Sequence, residues 1–313
     1  MRTSITRWVL RVAWAIGAIV SSETSIASAI TLRALSIPPG ESGVQFPAWS
    51  PDGTRVAGSW WSEPDGSLTE RLFVLDVATE ASLPIGGLAA LAAQTTGHIA
   101  MMPSWSPDGL SLAVVADFYL WDVSIPDSTA RLVNPDTVTN PAWSPDGQSI
   151  AYDGANGITV VPAQAGLPRR RLTVGADRNP DWSPSGSLIA FDRSNGAERN
   201  LWTVPAAGGP PRQLTFNSPL DMQPSWSPDG AFIVFASNRG GRRDLWIVRV
   251  ADGELYPVTT NPANDSAPDW SPDGLHILFV SDVDGPERMW IAGDLNTVGV
   301  TPKTWSGVKS KFR

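Results

Sequence analysis

Short apolar runs separated by turn-forming residues recur along the whole chain. Six of them are apolar at consecutive positions, at residues 56–58, 112–114, 150–152, 189–191, 233–235 and 277–279. Consecutive apolar positions are typical of strands that neighbouring sheets cover on both faces. A second apolar run follows each one after a turn-rich link, at residues 72–75, 119–121, 158–161, 201–204, 245–248 and 289–291. The pattern predicts six β-hairpins, each extended by a short third strand such as residues 212–215.

One five-residue sequence precedes every hairpin. Trp-Ser-Pro-Asp-Gly begins at Trp49, Trp105, Trp143, Trp226 and Trp270, and the copy at Trp182 carries Ser185 in place of Asp. Successive Trp residues lie 56, 38, 39, 44 and 44 positions apart. A period of this length with several short strands predicts propeller blades. The Ser-Pro-Asp-Gly segment suits a type I turn, because Pro presets φ at the second position and Gly is favoured at the fourth.

A proline lies two residues before each of the six Trp residues. Because proline has no N–H to donate, we expect its strand at a sheet edge, and in a propeller the inner edge borders the central channel. The Trp strand is therefore predicted to be the innermost of four, with the six Trp residues as anchors buried between blades. The predicted fold is an all-β, six-bladed β-propeller with four-stranded antiparallel blades over residues 30–294.

Closing the ring requires one more outer strand. Residues 31–36 lie upstream of Trp49 much as residues 212–215 lie upstream of Trp226, so an N-terminal strand is predicted to complete the sixth blade. Residues 298–301 are the competing candidate. With N-terminal closure, residues 295–313 become a tail whose charged residues are all basic, and we expect that tail to be solvated.

The interval between the first two Trp residues contains an extra segment, residues 86–102, that begins with an apolar stretch at residues 88–93. Two interpretations carry equal weight. An apolar loop on a rigid scaffold suits a partner contact, and it equally suits packing over blade 1.

The first 29 residues have the three parts of a secretory signal peptide. Arg2, Arg7 and Arg11 provide a positive start, residues 12–20 are apolar, and Ala27-Ser28-Ala29 suits cleavage. Nine apolar residues are too few to span a bilayer, which takes about 20. We therefore expect no transmembrane segment and a periplasmic or secreted protein.

Composition excludes several kinds of chemistry. The chain has no Cys and two His, which excludes a thiolate zinc site and makes a multi-histidine metal centre hard to build. Its net charge of −8 disfavours nucleic acid as a partner. Neither a Gly-x-Ser-x-Gly elbow, a His-Glu-x-x-His motif nor a phosphate-binding glycine loop is present, so we assign no catalytic residue and no resident metal.

Polar residues of the inner strands are the candidate binding groups. Repeats three to six place Asn140, Asn179, Asp181, Gln223 and Asp269 one or three residues before the repeat Trp. Five residues before it, repeats four to six carry Asp177, Asp221 and Asp265. One hypothesis is an acidic rim and channel that binds a cationic peptide or a cation, with Ca²⁺ the candidate ion. The alternative is that these aspartates accept hydrogen bonds from loop amides.

The six Pro-x-Trp-Ser-Pro-(Asp/Ser)-Gly units, with their Ile-Ala-Phe-like and Leu-Trp strands, resemble the TolB-like six-bladed β-propeller family. The match covers about residues 31–294. About twenty mature residues precede Trp49, so we do not expect the α/β domain that precedes the propeller in TolB. The resemblance implies a monomeric, non-catalytic scaffold that binds an envelope or secreted protein. The alternative function is a channel-centred hydrolase, lyase or carbohydrate-binding propeller, with or without a bound divalent cation.

Overall fold

The computed structural model describes residues 31–36, 41–62, 69–96, 101–164, 166–293 and 295. The predicted signal peptide lies outside these residues, and so does the predicted basic tail apart from Leu295. Within the described ranges, no helix has the length and hydrophobicity needed to cross a bilayer.

Six four-stranded antiparallel sheets form the described part of the chain, as the repeat predicted. Blade 1 contains β2 (Gly43–Trp49), β3 (Arg55–Ser62), β4 (Thr69–Asp76) and β5 (Ser82–Leu83). Blade 2 contains β6 (Met101–Trp105), β7 (Ser111–Ala116), β8 (Tyr119–Ser124) and β9 (Ala130–Asn134). Blade 3 contains β10 (Val138–Trp143), β11 (Ser149–Gly154), β12 (Gly157–Pro162) and β13 (Arg170–Arg171).

The remaining blades follow the same order. Blade 4 contains β14 (Ala176–Trp182), β15 (Leu188–Ser194), β16 (Arg199–Pro205) and β17 (Arg212–Gln213). Blade 5 contains β18 (Asp221–Trp226), β19 (Phe232–Ser237), β20 (Asp244–Arg249) and β21 (Leu255–Pro257). Blade 6 contains β22 (Asp265–Trp270), β23 (Ile277–Ser281), β24 (Arg288–Gly293) and β1 (Thr31–Ala34).

The N-terminal strand closes the ring. β1 pairs antiparallel with β24, so that Thr31 lies opposite Gly293 and Ala34 opposite Trp290. Leu35 follows directly, donates its N–H to the carbonyl of Met289 at 2.9 Å and is buried against blades 1 and 6. The prediction of N-terminal closure is confirmed, and the competing residues 298–301 lie outside the described part of the chain.

Each Ser-Pro-Asp-Gly segment turns between the first and second strands of a blade. In blade 1 the N–H of Gly53 donates to the carbonyl of Ser50 at 2.9 Å, and Gly53 has a φ of +70°. The Oγ of Ser50 donates to Asp52 and accepts the N–H of Arg55 at 2.9 Å. We call the side of the ring that carries these turns the turn face, and the opposite side, where the chain passes from blade to blade, the entry face.

The extra segment contains a helix that the sequence pattern did not predict. α1 spans Leu88–Ala92, and its Leu91 is buried against Trp121 and Val123 of blade 2. The described part of the segment therefore packs mainly on the outer strands of blade 2 rather than over blade 1 alone.

The repeat Trp residues differ in burial. Trp105, Trp226 and Trp270 are buried, whereas Trp49, Trp143 and Trp182 are half-buried. The sequence predicted that all six lie buried between blades, and three of them fall in the buried class. The other three retain exposed ring surface between the blades.

Candidate functional site: the central channel

The six inner strands surround a central channel of about 360 Å³. Each strand contributes the residue three before its Trp, the proline and the residue before the Trp, and every strand except that of blade 4 also contributes the Trp itself. The prediction that the Trp strand is innermost is confirmed. The wall is apolar at blades 1 and 2, where Phe46 and Met102 lie, and polar from blade 3 onward.

A backbone irregularity shapes this wall. Every inner strand has a bulge just before its proline, and the residue at the bulge has a positive φ. The six residues and their φ values are Phe46 (53°), Met102 (57°), Asn140 (46°), Asn179 (53°), Gln223 (56°) and Ala267 (48°). Only Asn tolerates this conformation readily among these residue types, so the ring holds backbone strain at several positions.

Two buried carboxylates hold the polar half of the ring in place. The Nδ2 atom of Asn140 donates to Asp153 Oδ1 at 2.9 Å, and the Nδ2 atom of Asn179 donates to Asp192 Oδ1 at 2.6 Å. The same two oxygens accept backbone N–H groups from the next blade, that of Asn179 at 3.4 Å and that of Gln223 at 3.2 Å. Behind the channel wall, Asp153 therefore joins blade 3 to blade 4, and Asp192 joins blade 4 to blade 5.

A second row of contacts lies nearer the turn face. Asp181 Oδ2 accepts the backbone N–H of Trp226 at 2.8 Å, and Asp269 Oδ2 accepts that of Trp49 at 2.6 Å. The Oγ atom of Ser225 donates to Asp269 Oδ1 at 3.1 Å. The two carboxylates thus bond the inner strand of the following blade, which is a structural contact at a channel-lining position.

The three aspartates predicted for the rim lie inside the protein. Asp177 has a fully buried side chain that pairs with Arg193 at 2.6 and 2.7 Å. Asp221, equally buried, pairs with Arg239 at 2.6 Å. Asp265 accepts a bond from Asn261 at 3.3 Å. The geometry therefore does not present these three carboxylates as an exposed acidic rim.

Burial dominates the electrostatics of the channel. Desolvation raises the pKa of Asp153 to about 6 and that of Asp192 to about 7. It also raises the pKa of Asp181 to about 7, with the charge of Asp269 contributing, and the pKa of Asp269 to about 6. Because Asp181 and Asp269 face the channel and are only half-buried, we expect water to reduce their shifts more than those of Asp153 and Asp192.

The raised pKa values predict a stability that falls as pH rises. In the unfolded chain both carboxyls lose their protons near pH 4, whereas in the folded protein Asp153 keeps its proton up to about pH 6 and Asp192 up to about pH 7. Above pH 4 the folded protein therefore binds more protons than the unfolded chain, and its stability falls as pH rises. We expect the free energy of unfolding to decrease by about 1–3 kcal/mol from pH 5 to pH 8. Urea unfolding at several pH values measures this slope.

Asp153→Asn is the matched variant for that measurement. Asparagine keeps an oxygen for Asn140 and Asn179 but carries no charge, so the pH slope should become shallower and stability at pH 8 should not fall. An unchanged slope in the variant would show that burial of this carboxylate does not control the pH dependence.

No group of three His, Asp or Glu side chains arranged to hold a metal ion occurs within the described residues. The channel carboxylates instead accept bonds from backbone amides, asparagine side chains and Ser225. We therefore derive no step through a metal ion, and the suggestion of bound Ca²⁺ stays a prediction.

Comparison with known proteins agrees with this geometry. The protein-family model described as the TolB beta propeller domain matches residues 132–292, which is half of the chain. The chain belongs to the TolB β-propeller family. Among curated proteins, none matches the sequence.

Solved structures similar to this TolB-family propeller include two TolB proteins and a lyase. Putative TolB from Agrobacterium tumefaciens is 28% identical with a TM-score of 0.56, over 59% of this chain and 71% of that one. TolB from Acinetobacter baumannii is 18% identical with a TM-score of 0.57, over 82% of this chain and 65% of that one. An oligogalacturonate lyase in complex with manganese is 16% identical with a TM-score of 0.56, over 87% and 96%. The last two likenesses show the fold alone.

Sequence reasoning missed the residues that organise the channel from behind. Asp153 and Asp192 lie at the end of the second strand in blades 3 and 4, a position that the search for inner-strand residues did not include. Arg193 was missed as the partner of Asp177, although the two stand opposite each other in the β14–β15 ladder. Alignment of the second strands as well as the Trp strands would have found them.

Proposed function

We propose that this TolB-like propeller is an exported, non-catalytic scaffold that binds another envelope or secreted protein at its entry face. The observation that carries the proposal is a set of exposed apolar side chains on that face. Phe118 and Phe216 are 58% and 57% exposed, Val174 is 67% exposed and Tyr119 is 39% exposed. They lie on hairpin tips or blade-to-blade links of blades 2 to 5.

Phe118 supports the proposal most strongly because its conformation is unfavourable in the free protein. Asp117 and Phe118 form the two-residue turn between β7 and β8 with φ values of 49° and 66°. Such turns favour Gly or Asn, whereas a bulky residue at positive φ is strained. Because the Phe118 ring is largely exposed, packing within the free protein does not offset the strain. Burial of the ring against a partner would offset it.

The channel wall supports the same function. Its ring of bulged residues is fixed by bonds between blades, so a bound segment would meet a preformed surface with an apolar half and a polar half. Binding to a preorganised surface loses less conformational entropy, which favours affinity. The leader pattern of residues 1–29 supports a location outside the cytoplasm, where such a partner would be an envelope or secreted protein.

Phe118→Gly should separate stability from binding. Glycine adopts positive φ without strain, so we expect the variant to be about 0.5–1 kcal/mol more stable in urea unfolding. We also expect partner capture from an envelope extract to fall several-fold. Leu32→Ser is the matched control, because Leu32 is exposed on the outer strand of blade 6 and should leave capture unchanged. Equal capture by all three proteins would count against the entry-face site.

The second candidate function, a channel-centred hydrolase, lyase or carbohydrate-binding propeller, is favoured by one observation. Asp181 and Asp269 line the channel with raised pKa values, as catalytic acids often do. A small sugar or uronide ligand that raises the melting temperature, with the effect lost in Asp181→Asn, would support this candidate over the scaffold. The backbone bonds that these carboxylates accept favour a structural role.

A further inference from the structure

One position of the repeat decides how the groove between adjacent blades is filled on the turn face. This residue lies six after the repeat Trp, at the start of the second strand. Its occupants in blades 1 to 6 are Arg55, Ser111, Ser149, Leu188, Phe232 and His276. Only blade 1 places a cation with a long side chain there.

Arg55 fills the groove between blades 1 and 2. Its guanidinium carbon lies 4.7 Å from the centre of the Trp105 ring, a cation–π arrangement. Its Nη2 atom donates to the carbonyl of Gly109 at 3.2 Å and lies 3.5 Å from Asp52 Oδ2. Trp105 and Gly109 belong to blade 2, whereas Asp52 belongs to the turn of blade 1. The groove is therefore built from one aromatic face, one carbonyl and one carboxylate.

The groove between blades 2 and 3 has the same frame without the arginine. Trp143 and Gly147 of blade 3 take the places of Trp105 and Gly109, and Asp108 takes the place of Asp52. The short side chain of Ser111 stands where Arg55 stands in blade 1, and the groove has a volume of about 630 Å³. The turns stack as elsewhere in the ring: a Cβ at Gly147 would lie 3.3 Å from Pro107, and one at Gly53 would lie 3.3 Å from Pro272.

The charges of this groove favour a cation. Three carboxylates line it, those of Asp108, Asp122 and Asp146, against the single guanidinium of Arg131. Arg131 bonds Asp122 Oδ2 at 2.8 Å and the carbonyl of Ala163 at 3.0 Å. Asp122 Oδ1 is buried and has no hydrogen-bond partner among the described residues. The carboxylates therefore exceed the local positive charge by two.

An exposed apolar side chain lines the same groove. Leu167 lines it and is 46% exposed. Leu110 precedes Ser111 in sequence and is 56% exposed on the protein surface. Arginine is among the residues that most often anchor protein interfaces by filling a pocket, so exposed apolar surface beside the groove suits a protein partner.

The groove between blades 6 and 1 differs in the residue at the position of Arg55. It has a volume of about 670 Å³ and is lined by Trp49 and Asp273, but His276 occupies the position of Arg55. The Nδ1 atom of His276 lies 3.4 Å from Asp273 Oδ2, so the carboxylate already faces a partner within the chain. Ser111 provides no such partner for Asp108.

We propose that the groove between blades 2 and 3, on the turn face, binds an arginine side chain of a partner protein. The guanidinium stacks on Trp143, donates to the carbonyl of Gly147 and pairs with Asp108, as Arg55 does with the corresponding groups in the neighbouring groove. The proposal rests on the scaffold function only for the source of the arginine, since the groove and its chemistry are independent of the entry face.

The test uses a peptide with one arginine, acetyl-Gly-Arg-Gly-amide, and its neutral citrulline counterpart. Binding is followed by NMR through the indole N–H signals of the ¹⁵N-labelled full chain, and Trp143→Phe assigns the signal of Trp143. We expect the arginine peptide to shift that signal with half-saturation near about 1 mM, as befits one stacked ion pair. The citrulline peptide should bind at least tenfold more weakly.

Three variants make the test specific. Ser111→Arg places the chain's own guanidinium in the groove and should abolish the response, while Asp108→Asn keeps the turn and should weaken binding several-fold. Arg55→Ser should open a second site, reported by the indole of Trp105. Equal binding of the two peptides, or an unchanged response in Ser111→Arg, would overturn the proposal. Loss of partner capture in Phe118→Gly with intact arginine binding would leave it standing.

Discussion

Arg193→Ala should destabilise the protein by about 3–5 kcal/mol, because it leaves a carboxylate buried without its counter-charge. Asp177 has a fully buried side chain, and Arg193 binds both of its oxygens, at 2.6 and 2.7 Å. The guanidinium also lies 5.0 Å from the Trp202 ring centre and 5.4 Å from that of Phe191. Urea unfolding at pH 7.5 measures the loss.

The reason for the loss is tested by a second substitution. Asp177→Asn in the Arg193→Ala background removes the unpaired charge and should restore most of the stability. If the double variant is as unstable as the single one, the stacking of Arg193 on its aromatic neighbours matters more than the ion pair.

Leu35→Ala should cost about 2–5 kcal/mol, since it leaves a cavity where the N-terminal strand closes the ring. Leu35 is 2% exposed and packs with Leu278 and Val280 of β23 and with Met289 and Ile291 of β24. The loss should appear as an earlier cooperative transition in urea, because blade 6 holds blade 1 through β1 and through the bond from Trp49 to Asp269.

Leu32→Ala is the internal comparison for ring closure. Leu32 lies in β1, three residues before Leu35, but is 41% exposed, and its truncation should change stability by less than about 0.5 kcal/mol. If both leucine variants behave alike, the N-terminal strand does not close the ring in solution. The two substitutions change the same residue type in the same N-terminal segment, and they differ in how deeply the side chain is buried.

The fold could be predicted from the sequence because every blade repeats the same proline, turn and apolar-strand pattern. The proline before each Trp fixed the inner edge, and the Ser-Pro-Asp-Gly segments fixed the turns. Ring closure followed from the position of residues 31–36. The helix α1 was missed, since its run of Leu and Ala residues is too short for its periodicity to be distinguished from that of an apolar loop.

The candidate site was predicted only in part. The channel position of Asp181 and Asp269 followed from the repeat, because the residue before each Trp lies on the inner strand. The burial of Asp177, Asp221 and Asp265 did not follow, because it depends on partners across the sheet that the Trp-strand alignment does not contain. The bulges were also missed, since Phe46 or Gln223 at positive φ contradicts local preference.

The Leu-Trp strands were predicted as strands, but the contacts of their Trp rings with arginine side chains were not predicted. Trp202 and Trp246 were interpreted as ordinary strand residues of their blades. In the structure Arg193 stacks over Trp202 and Arg239 over Trp246, at 5.0 and 5.4 Å from the ring centres. The same residue types form the groove of Arg55 and Trp105, so stacked Arg–Trp pairs with a nearby Asp occur at three places in the ring.

Site-specific photo-cross-linking tests the scaffold function most directly. Benzoylphenylalanine replaces Phe46 at the channel wall, Phe118 and Phe216 on the entry face, or Tyr256 on the outer strand of blade 5, in the cells that produce the protein. We predict that the three Phe positions yield an adduct with one and the same protein and that the Tyr256 position yields none. Absence of any adduct at the three Phe positions, or an equal adduct at Tyr256, would contradict the proposal.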